Sequence, residues 1–411
     1  MNILRNKNLN LLFIGNVVSS IGVGITGIAV PWLILSIYDA EKVYGLSYLL
    51  LTITAFFLSP YIGVLVDQYS RKKIIIYTET VGFICISLIC FYTWIYDYIP
   101  LWQLVLLHVI GFFYHSFQIP CIIAIAQEIT SSEDYKKVSS LLEIQSQTSS
   151  LAGAGLAMLA LTYLKIQHIL LFDALTFFIC IVMMMLLHYQ PKKRNSIKNN
   201  SPLKNFVDGM QYVKSKATLI VFLIFSLFPF ICVMLSNYLT PVHLAKTLNV
   251  GGAYFGAVDF VYAIGAVLAG LLMPKLLNKW NPYVLSLFAT IIFSIAILCI
   301  SFSSNATHYV ILYFVIAAGN ICAKVSVNTV LMESVENEYI GRVNSVISGV
   351  NLGIRSIFIA FATMMISVVG TYLIYRMVFI MLCISGIVIY ISIRKLSKSK
   401  HFNNLSNSAD L

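Results

Sequence analysis

Long runs of apolar residues that contain no charged side chain dominate the sequence. Four of these runs cover residues 8–38, 43–66, 98–127 and 217–245. A helix that crosses the hydrocarbon core of a bilayer needs about 20 mainly apolar residues, and each run is longer than that. Strands of a membrane barrel would alternate in polarity over about ten residues, which these runs do not. Because backbone polar groups in lipid must be paired internally, the pattern predicts transmembrane helices.

Charges, prolines and glycines divide the chain into twelve predicted spans in two halves. The first half contains 10–38, 44–66, 74–96, 101–127, 139–163 and 167–189. The second half contains 218–244, 251–274, 282–303, 308–332, 343–369 and 371–393. The predicted fold class is an all-α membrane protein with two six-helix bundles. These bundles are the domains 1–189 and 218–393.

The linker at 190–217 and the tail at 394–411 are the polar parts of the predicted architecture. Apolar residues recur at helical spacing in the second part of the linker: Leu203, Phe206, Val207, Met210 and Val213. Lysines surround them, so this part is predicted to be a short helix on the membrane surface. An ordinary solvated connector is the alternative.

Composition and charge agree with a membrane protein. Of 411 residues, 59% are hydrophobic and 10% charged, against about 25% charged in a soluble domain. Most of the 27 lysines and arginines fall on the side of the membrane that holds both termini. Those on the other side are Lys42, Lys165, Lys246 and Arg376. The positive-inside rule therefore predicts cytoplasmic termini in a bacterial-type inner membrane. It also accounts for the net charge of +11, so no nucleic-acid partner is expected.

Two stretches of the sequence resemble each other and indicate duplication. Residues 126–140 read AQEITSSEDYKKVSS and residues 331–345 read LMESVENEYIGRVNS. Glu128 and Lys137 correspond to Glu333 and Arg342 at one constant separation, and Gly63 corresponds to Gly270 at nearly the same one. Transporters are often built from such repeats. The halves are therefore predicted to be parallel repeats around a central cavity.

The loop after the second span carries a glycine, an aspartate and a basic cluster. It reads Gly63-Val-Leu-Val-Asp67-Gln-Tyr-Ser-Arg71-Lys72-Lys73. The spacing resembles the signature cytoplasmic loop of the major facilitator superfamily. In that resemblance Gly63 allows close helix approach, while Asp67, Arg71 and Lys72 belong to a gating motif. The corresponding positions in the second half are Gly270, Gly341 and Arg342.

A narrower resemblance comes from Phe172–Phe177 and the Gly341-Arg342-Val343 segment. These look like the drug–proton antiporter branch that includes macrolide efflux proteins and lysophospholipid transporters. The resemblance implies proton-coupled export of a small molecule by a monomer in the lipid bilayer. The sequence departs from the branch in two places. Span four lacks the arginine linked to proton coupling, and span five has Gly153 and Gly155 without the proline.

Ionisable residues within the spans are the candidate functional groups, because a charge at membrane depth costs several kcal/mol on some scales. Acidic residues near the predicted cytoplasmic ends are expected to pair with loop bases as gates, with a transport role as the alternative: Glu79, Glu128, Glu143 and Glu333. Of these, Glu143 is also a candidate for substrate binding or proton coupling. Asp173 and Asp259 are candidate proton carriers, with helix packing through hydrogen bonds as the alternative. His108 and His115, on one face of span four, are proton-relay candidates or buried hydrogen-bonding residues. Asn16 adds neutral polarity.

Two basic residues lie deeper in the second half. Lys324 in span ten and Arg355 in span eleven can pair with Asp259 or Glu333, or they can bind an anionic substrate. The leading prediction is a proton-coupled exporter of amphipathic molecules of the drug or macrolide type. The alternatives are export of an anionic metabolite such as a carboxylate siderophore, and lysophospholipid transport. No Walker loop, HExxH or Ser-His-Asp grouping is present, and the eight cysteines lack metal-ligand spacing. We therefore expect neither an enzyme nor a bound metal or cofactor.

Overall fold

The computed structural model describes residues 7–38, 40–130, 135–189, 216–335 and 340–407, and within that part of the chain it is built of helices without a strand. The helices of the first half are α1 Lys7–Ile37, α2 Glu41–Gln68, α3 Arg71–Tyr96, α4 Leu101–Glu128, α5 Tyr135–Tyr163 and α6 Ile166–Leu186. Those that follow are α7 Ala217–Ser226, α8 Phe228–Val242, a π-helical turn His243–Thr247, α9 Ala253–Leu277, α10 Pro282–Ile300, α11 Ala306–Ser334 and α12 Ile340–Asn407.

Side chains at the helix ends explain several of these boundaries. The Asn281 side chain accepts a hydrogen bond from the backbone N–H of Tyr283, and Pro282 occupies the first turn of α10. Asn305 caps α11 by accepting from the N–H groups of Thr307 and His308. At the end of α3, Asp97 has φ of 47°, the left-handed conformation that commonly terminates a helix. These caps satisfy backbone donors and acceptors that a helix leaves unpaired.

The last element, α12, is interrupted within its 68 residues. Gly370 has φ of 71° and ψ of 169°, a region that is essentially restricted to glycine. Two helical stretches therefore meet at this one residue, with no loop between them. The predicted spans 343–369 and 371–393 lie on the two sides of the interruption.

Ten helical segments in the described residues are long and apolar enough to cross a membrane. The all-helical membrane fold class is thus confirmed. The predicted span 139–163 coincides with α5, which is not among the ten, and α12 contributes one segment where the sequence predicts two spans. The count of twelve spans stays a prediction. The interfacial helix predicted in the linker lies outside the described residues.

The chain divides into two compact units, of which the first comprises Met1–Ile197 and Pro241–Ala263. In this unit α1 packs against α4, α5 and α6, and α3 packs against α4 and α6. Gly24 and Gly153 bring α1 and α5 together, since a Cβ on Gly153 would lie 3.5 Å from the Gly24 Cα. One apolar core includes Leu9 and Leu12 of α1, Ile75 of α3 and Ile125 of α4.

The second unit comprises Lys198–Thr240 and Ile264–Leu411. Helix α10 packs against α11 and α12, and α12 packs against α7. The core of this unit includes Phe222, Leu223, Val330 and Ile389. The domain predictions placed residues 241–263 with the second bundle, whereas contacts group this segment with the first unit.

Candidate functional sites

A cavity of about 240 Å³ in the second unit contains both deep cations of the sequence. Lys324 and Asn328 contribute to it from α11, and Ser348, Asn351 and Arg355 contribute from α12. The remaining wall is apolar: Leu227, Phe230, Val327, Leu331, Ile347 and Leu352. Lys324 and Asn328 are one helical turn apart, as are Asn351 and Arg355, so each helix presents an amide beside its cation.

The lining of this cavity is positively charged and amphipathic. None of the described lining residues is Asp or Glu. The Lys324 ammonium lies 5.9 Å from the centre of the Phe230 ring, a distance compatible with a cation–π contact. Guanidinium, ammonium, amide and hydroxyl donors in one pocket form a group that suits carboxylate or phosphate oxygens. The apolar wall suits a hydrocarbon portion of the same ligand.

In the first unit, an ion pair joins the start of α3 to the end of α4. The Arg71 guanidinium contacts the Glu128 carboxylate, with side chains 5% and 13% exposed. Tyr189, which follows α6, donates its hydroxyl hydrogen to the same carboxylate. The Lys72 ammonium donates to the backbone oxygens of Met185 at 3.1 Å and Leu187 at 2.7 Å. The basic residues of the gating motif thus tie the ends of α3, α4 and α6 together.

Two other carboxylates of the first unit are buried among neutral groups. The Glu79 side chain is fully buried, accepting from the Ser19 hydroxyl at 3.0 and 3.1 Å and from the Gln118 amide at 3.1 Å. Asp173, 1% exposed, accepts from the Thr26 hydroxyl at 2.5 Å. The expectation that Glu79 pairs with a loop base is wrong. Its hydrogen bonds come from Ser19 of α1 and Gln118 of α4, because Glu79 lies two turns inside α3.

The structure distributes the other predicted residues over several environments. The His108 ring packs against the rings of Tyr44 and Tyr48, with centroids 5.7 and 6.0 Å away, and its Nδ1 lies 3.2 Å from the Ser47 hydroxyl. His115 is exposed and contacts the Tyr114 ring. Asp259 is exposed on α9. Asn16 accepts a hydrogen bond from Gln118 at 3.3 Å.

Several gating-motif candidates and the coupling candidate Glu143 lie in helices, but their side chains are outside the described structure. Gly63 and Asp67 fall in α2, Glu143 in α5, and Gly341 and Arg342 at the start of α12. Gly270 lies in α9, where an added Cβ would meet no atom within 4 Å. The roles of these residues stay predictions.

Asp97 and its partners form an exposed polar cluster beyond the end of α3. The Gln167 amide donates to Asp97 Oδ1 at 3.1 Å, and the Lys165 ammonium lies 3.3 Å from both carboxylate oxygens. These two contacts lower the pKa of the Asp97 carboxyl, and the Gln167 hydrogen bond is the larger cause. Both side chains of the Lys165–Asp97 pair are about two-thirds exposed, at 66% and 68%, so the pair adds little stability.

Sequence reasoning missed a buried cluster of hydroxyl groups in the second unit. Tyr309 Oη lies 3.1 Å from Thr240 Oγ1, 3.1 Å from Tyr313 Oη and 2.8 Å from Tyr375 Oη. Tyr309 and Tyr375 are completely buried. The spacing of Tyr309 and Tyr313, one helical turn apart, was the available signal. Tyrosines are so numerous in this chain, 24 in all, that the signal did not stand out.

Comparison with known proteins identifies the class to which this fold and these sites belong. The sequence profile of the Major Facilitator Superfamily matches residues 12–352. The chain therefore belongs to the Major Facilitator Superfamily. The narrower likeness to the drug–proton antiporter branch remains a suggestion.

Individual relatives resemble the chain over most of its length. The Staphyloferrin A transporter of Staphylococcus aureus (strain NCTC 8325 / PS 47) is 23% identical over 312 residues, which cover 74% of this chain and 73% of that relative. The nucleoside transporter NupG superposes with a TM-score of 0.70 at 12% identity, covering 96% of this chain and 99% of that one. A bacterial homologue of the iron transporter ferroportin, in an inward-facing state, gives 0.70 at 14% identity, covering 95% and 99%. These structural likenesses show the fold.

Proposed function

We propose that this protein is a secondary transporter that exports an amphipathic organic anion, with carboxylates as the groups it binds. The observation that supports this is the convergence of Lys324 and Arg355 on one cavity of about 240 Å³. Guanidinium and ammonium donors that face one cavity suit the oxygens of a carboxylate. The amides of Asn328 and Asn351 add donors for further carboxylate oxygens.

The anion hypothesis is favoured over export of drugs of the macrolide type. A cationic drug would meet two residues of like charge in this cavity, and none of the described lining residues is Asp or Glu. The similarity to a staphyloferrin A transporter supports the siderophore alternative that the sequence left open. A lysophospholipid also combines an anionic group with an apolar chain, so it belongs among the compounds to be tested.

Export is proposed to be driven by an ion gradient, with protons as the coupling ion. Both termini are proposed to lie in the cytoplasm, as the distribution of lysines and arginines predicts. In this orientation the Arg71–Glu128 pair would lie at the cytoplasmic end of the first unit. Nothing in this mechanism requires a bound cofactor.

The test is counterflow of radiolabelled citrate and of staphyloferrin A into proteoliposomes that contain the purified protein. Citrate is the minimal polycarboxylate probe, and its neutral trimethyl ester is the matched probe without charge. We expect Lys324→Ala and Arg355→Ala each to weaken carboxylate binding. Truncating one partner of a buried charged hydrogen bond costs about 2 kcal/mol or more, which corresponds to roughly 30-fold in affinity.

Matched variants separate a binding role from general damage. Lys275→Ala removes an exposed lysine of α9, and Arg394→Ala removes an arginine of α12 that stacks on Tyr390. Neither residue lines the cavity, so both variants are expected to transport as the wild type does. Equal counterflow of citrate and its trimethyl ester, or wild-type counterflow in both cavity variants, would exclude the anion hypothesis. Counterflow of lysophosphatidylcholine alone would instead favour lipid transport.

A further inference from the structure

The buried carboxylates of Glu79 and Asp173 are the strongest unexplained feature of the first unit. They reach the same helix, α1, from α3 and α6 respectively. Ser19 and Thr26, their partners on α1, are two helical turns apart and therefore lie on one face. Gly22 lies between them, and a Cβ at this position would collide with Thr176 Oγ1 and would lie 2.6 Å from Asp173 Oδ1. The absence of a side chain lets α1 approach the Asp173 carboxyl closely.

Among the described residues, the groups that act on the two carboxyls include hydrogen-bond donors and no cation. In the described structure the titratable groups that face Glu79 are Tyr114 from α4, and Cys180 and Asp173 from α6. The remaining partners, Ser19 and Gln118, are neutral. Asp173 Oδ1 is buried and accepts no hydrogen bond from the described residues. An ionised carboxylate buried among neutral side chains would be expensive, because their hydrogen bonds replace only part of its lost hydration.

We propose that Glu79 and Asp173 form a proton-binding site. Its protonation state determines which hydrogen bonds helix α1 makes with the two carboxyls. When Glu79 holds a proton it can donate a hydrogen bond, and when it loses the proton it can only accept. Ser19 and Gln118 must then change their hydrogen-bonding roles. Loss of a proton from Asp173 changes the hydrogen-bonding role of its partner Thr26 in the same way. Protonation therefore changes which groups α1 can bond on the face that carries Ser19, Gly22 and Thr26.

This site supplies a location for the coupling proton of the proposed export. It differs from the sequence-based expectation, which gave Glu79 a gating role with loop bases. The contrast with Glu128 explains the difference. Glu128 is paired with the Arg71 guanidinium, whereas Glu79, two turns further into α3, contacts neutral groups. The coupling part of the inference rests on the proposed transport function, but proton binding itself does not.

Infrared spectroscopy of the purified protein tests proton binding without any cargo. A protonated carboxylic acid has a C=O stretch that the carboxylate lacks, and exposed Asp and Glu are ionised at neutral pH. We expect the wild type to show this band at neutral pH. Glu79→Gln and Asp173→Asn should each reduce it, and the double variant should lose it. Glu128→Gln is the matched control and should leave the band unchanged, because Glu128 is paired with Arg71.

Three results would overturn the proposal: no band in the wild type, a band that persists in the folded double variant, or loss of the band on replacing choline chloride with sodium chloride. The last result would identify a sodium site formed by the same oxygens. Elution as a single species in size-exclusion chromatography establishes that each variant is folded. Gln and Asn match the shapes of Glu and Asp, so the variants keep the packing of α1.

Coupling is tested by citrate-driven acidification, followed with a pH-sensitive dye inside proteoliposomes. We expect Glu79→Gln to keep citrate counterflow and to lose citrate-driven proton movement. Proton movement at the wild-type rate in this variant would exclude a coupling role. If the wild type transports no citrate but shows the band, the proposed cargo is wrong and the proton site stands. If citrate is transported but the band is absent, the proton site is wrong and the cargo stands.

Discussion

Replacement of Gly256 by alanine tests how closely α5 and α9 approach within the first unit. A Cβ at Gly256 would lie 2.5 Å from the backbone nitrogen of Met158 and 2.7 Å from the backbone oxygen of Ala154. These atoms belong to the backbone of α5, so they cannot rotate away as the end of a side chain could. The shorter separation is about 1 Å below ordinary van der Waals contact. One of the two helices must move by about that distance.

Gly270 lies on the same helix and serves as the matched control, since its added Cβ would meet nothing within 4 Å. In a helix, alanine is favoured over glycine by about 1 kcal/mol, and this gain applies to both substitutions. It cancels when the two variants are compared. The remaining difference is the cost of overpacking, about 1–3 kcal/mol. We expect Gly256→Ala to be less stable than Gly270→Ala by that amount.

The assay is thermal unfolding in detergent with a thiol-reactive fluorophore. Cys121, Cys180 and Cys232 are buried and react only when helices separate. Because such unfolding is commonly irreversible, apparent Tm values are compared at one heating rate. An apparent Tm of Gly256→Ala equal to or above that of Gly270→Ala would refute the close approach of α5 and α9.

Three further predictions concern other polar clusters of the described structure. Arg71→Ala removes the guanidinium that pairs with the Glu128 carboxylate and should cost about 3 kcal/mol. Its apparent Tm should fall well below that of Lys73→Ala, an exposed neighbour, and equal values would contradict a stabilising pair. Tyr309→Phe removes the hydroxyl that contacts Thr240, Tyr313 and Tyr375. It should lower the free energy of unfolding by about 1–3 kcal/mol. Tyr390→Phe, at a half-exposed site, should leave the stability unchanged. Because the pKa of Asp97 is lowered in the fold, its contacts stabilise the protein at neutral pH, and this contribution is lost as the pH falls through the folded-state pKa. Gln167→Ala should raise the pKa of Asp97 toward its ordinary value, as followed by NMR titration of labelled aspartate, and an unchanged titration would show that Gln167 is not the cause.

Hydrophobicity was sufficient to predict the helices of this chain. The predicted span 101–127 matches α4 at Leu101–Glu128, and the predicted span 282–303 matches α10 at Pro282–Ile300. Lipid explains this success, because it requires long apolar helices whatever their neighbours are. Composition and the loop from Gly63 to Arg71 were likewise sufficient to predict the family. The predicted spans 343–369 and 371–393 also left a break at residue 370, where the structure has the interruption at Gly370. The conformation of this residue was not predictable, because a glycine with a positive φ looks the same in sequence as a glycine inside a helix.

Pairing between ionisable residues was much less predictable. Glu79 and Glu128 both lie toward the ends of their predicted spans, yet one contacts neutral side chains and the other contacts Arg71. Their difference depends on the rotation of α3 and α4 about their axes, which packing determines and depth along the helix does not. The convergence of Lys324 and Arg355 depends on the same property. From sequence, their depth was evident, but whether the two faces meet was left open.

The meeting of two long helical stretches at Gly370 restricts what can be attached or cut there. A connection of one residue offers no extended segment for a protease to bind, and no room for an epitope tag without unwinding a helix end. Its two dihedral angles are the only hinge between the stretches, so a change in the angle between them must occur at this residue. Labels placed on either side of Gly370 should accordingly report such a change as rotation about a single point.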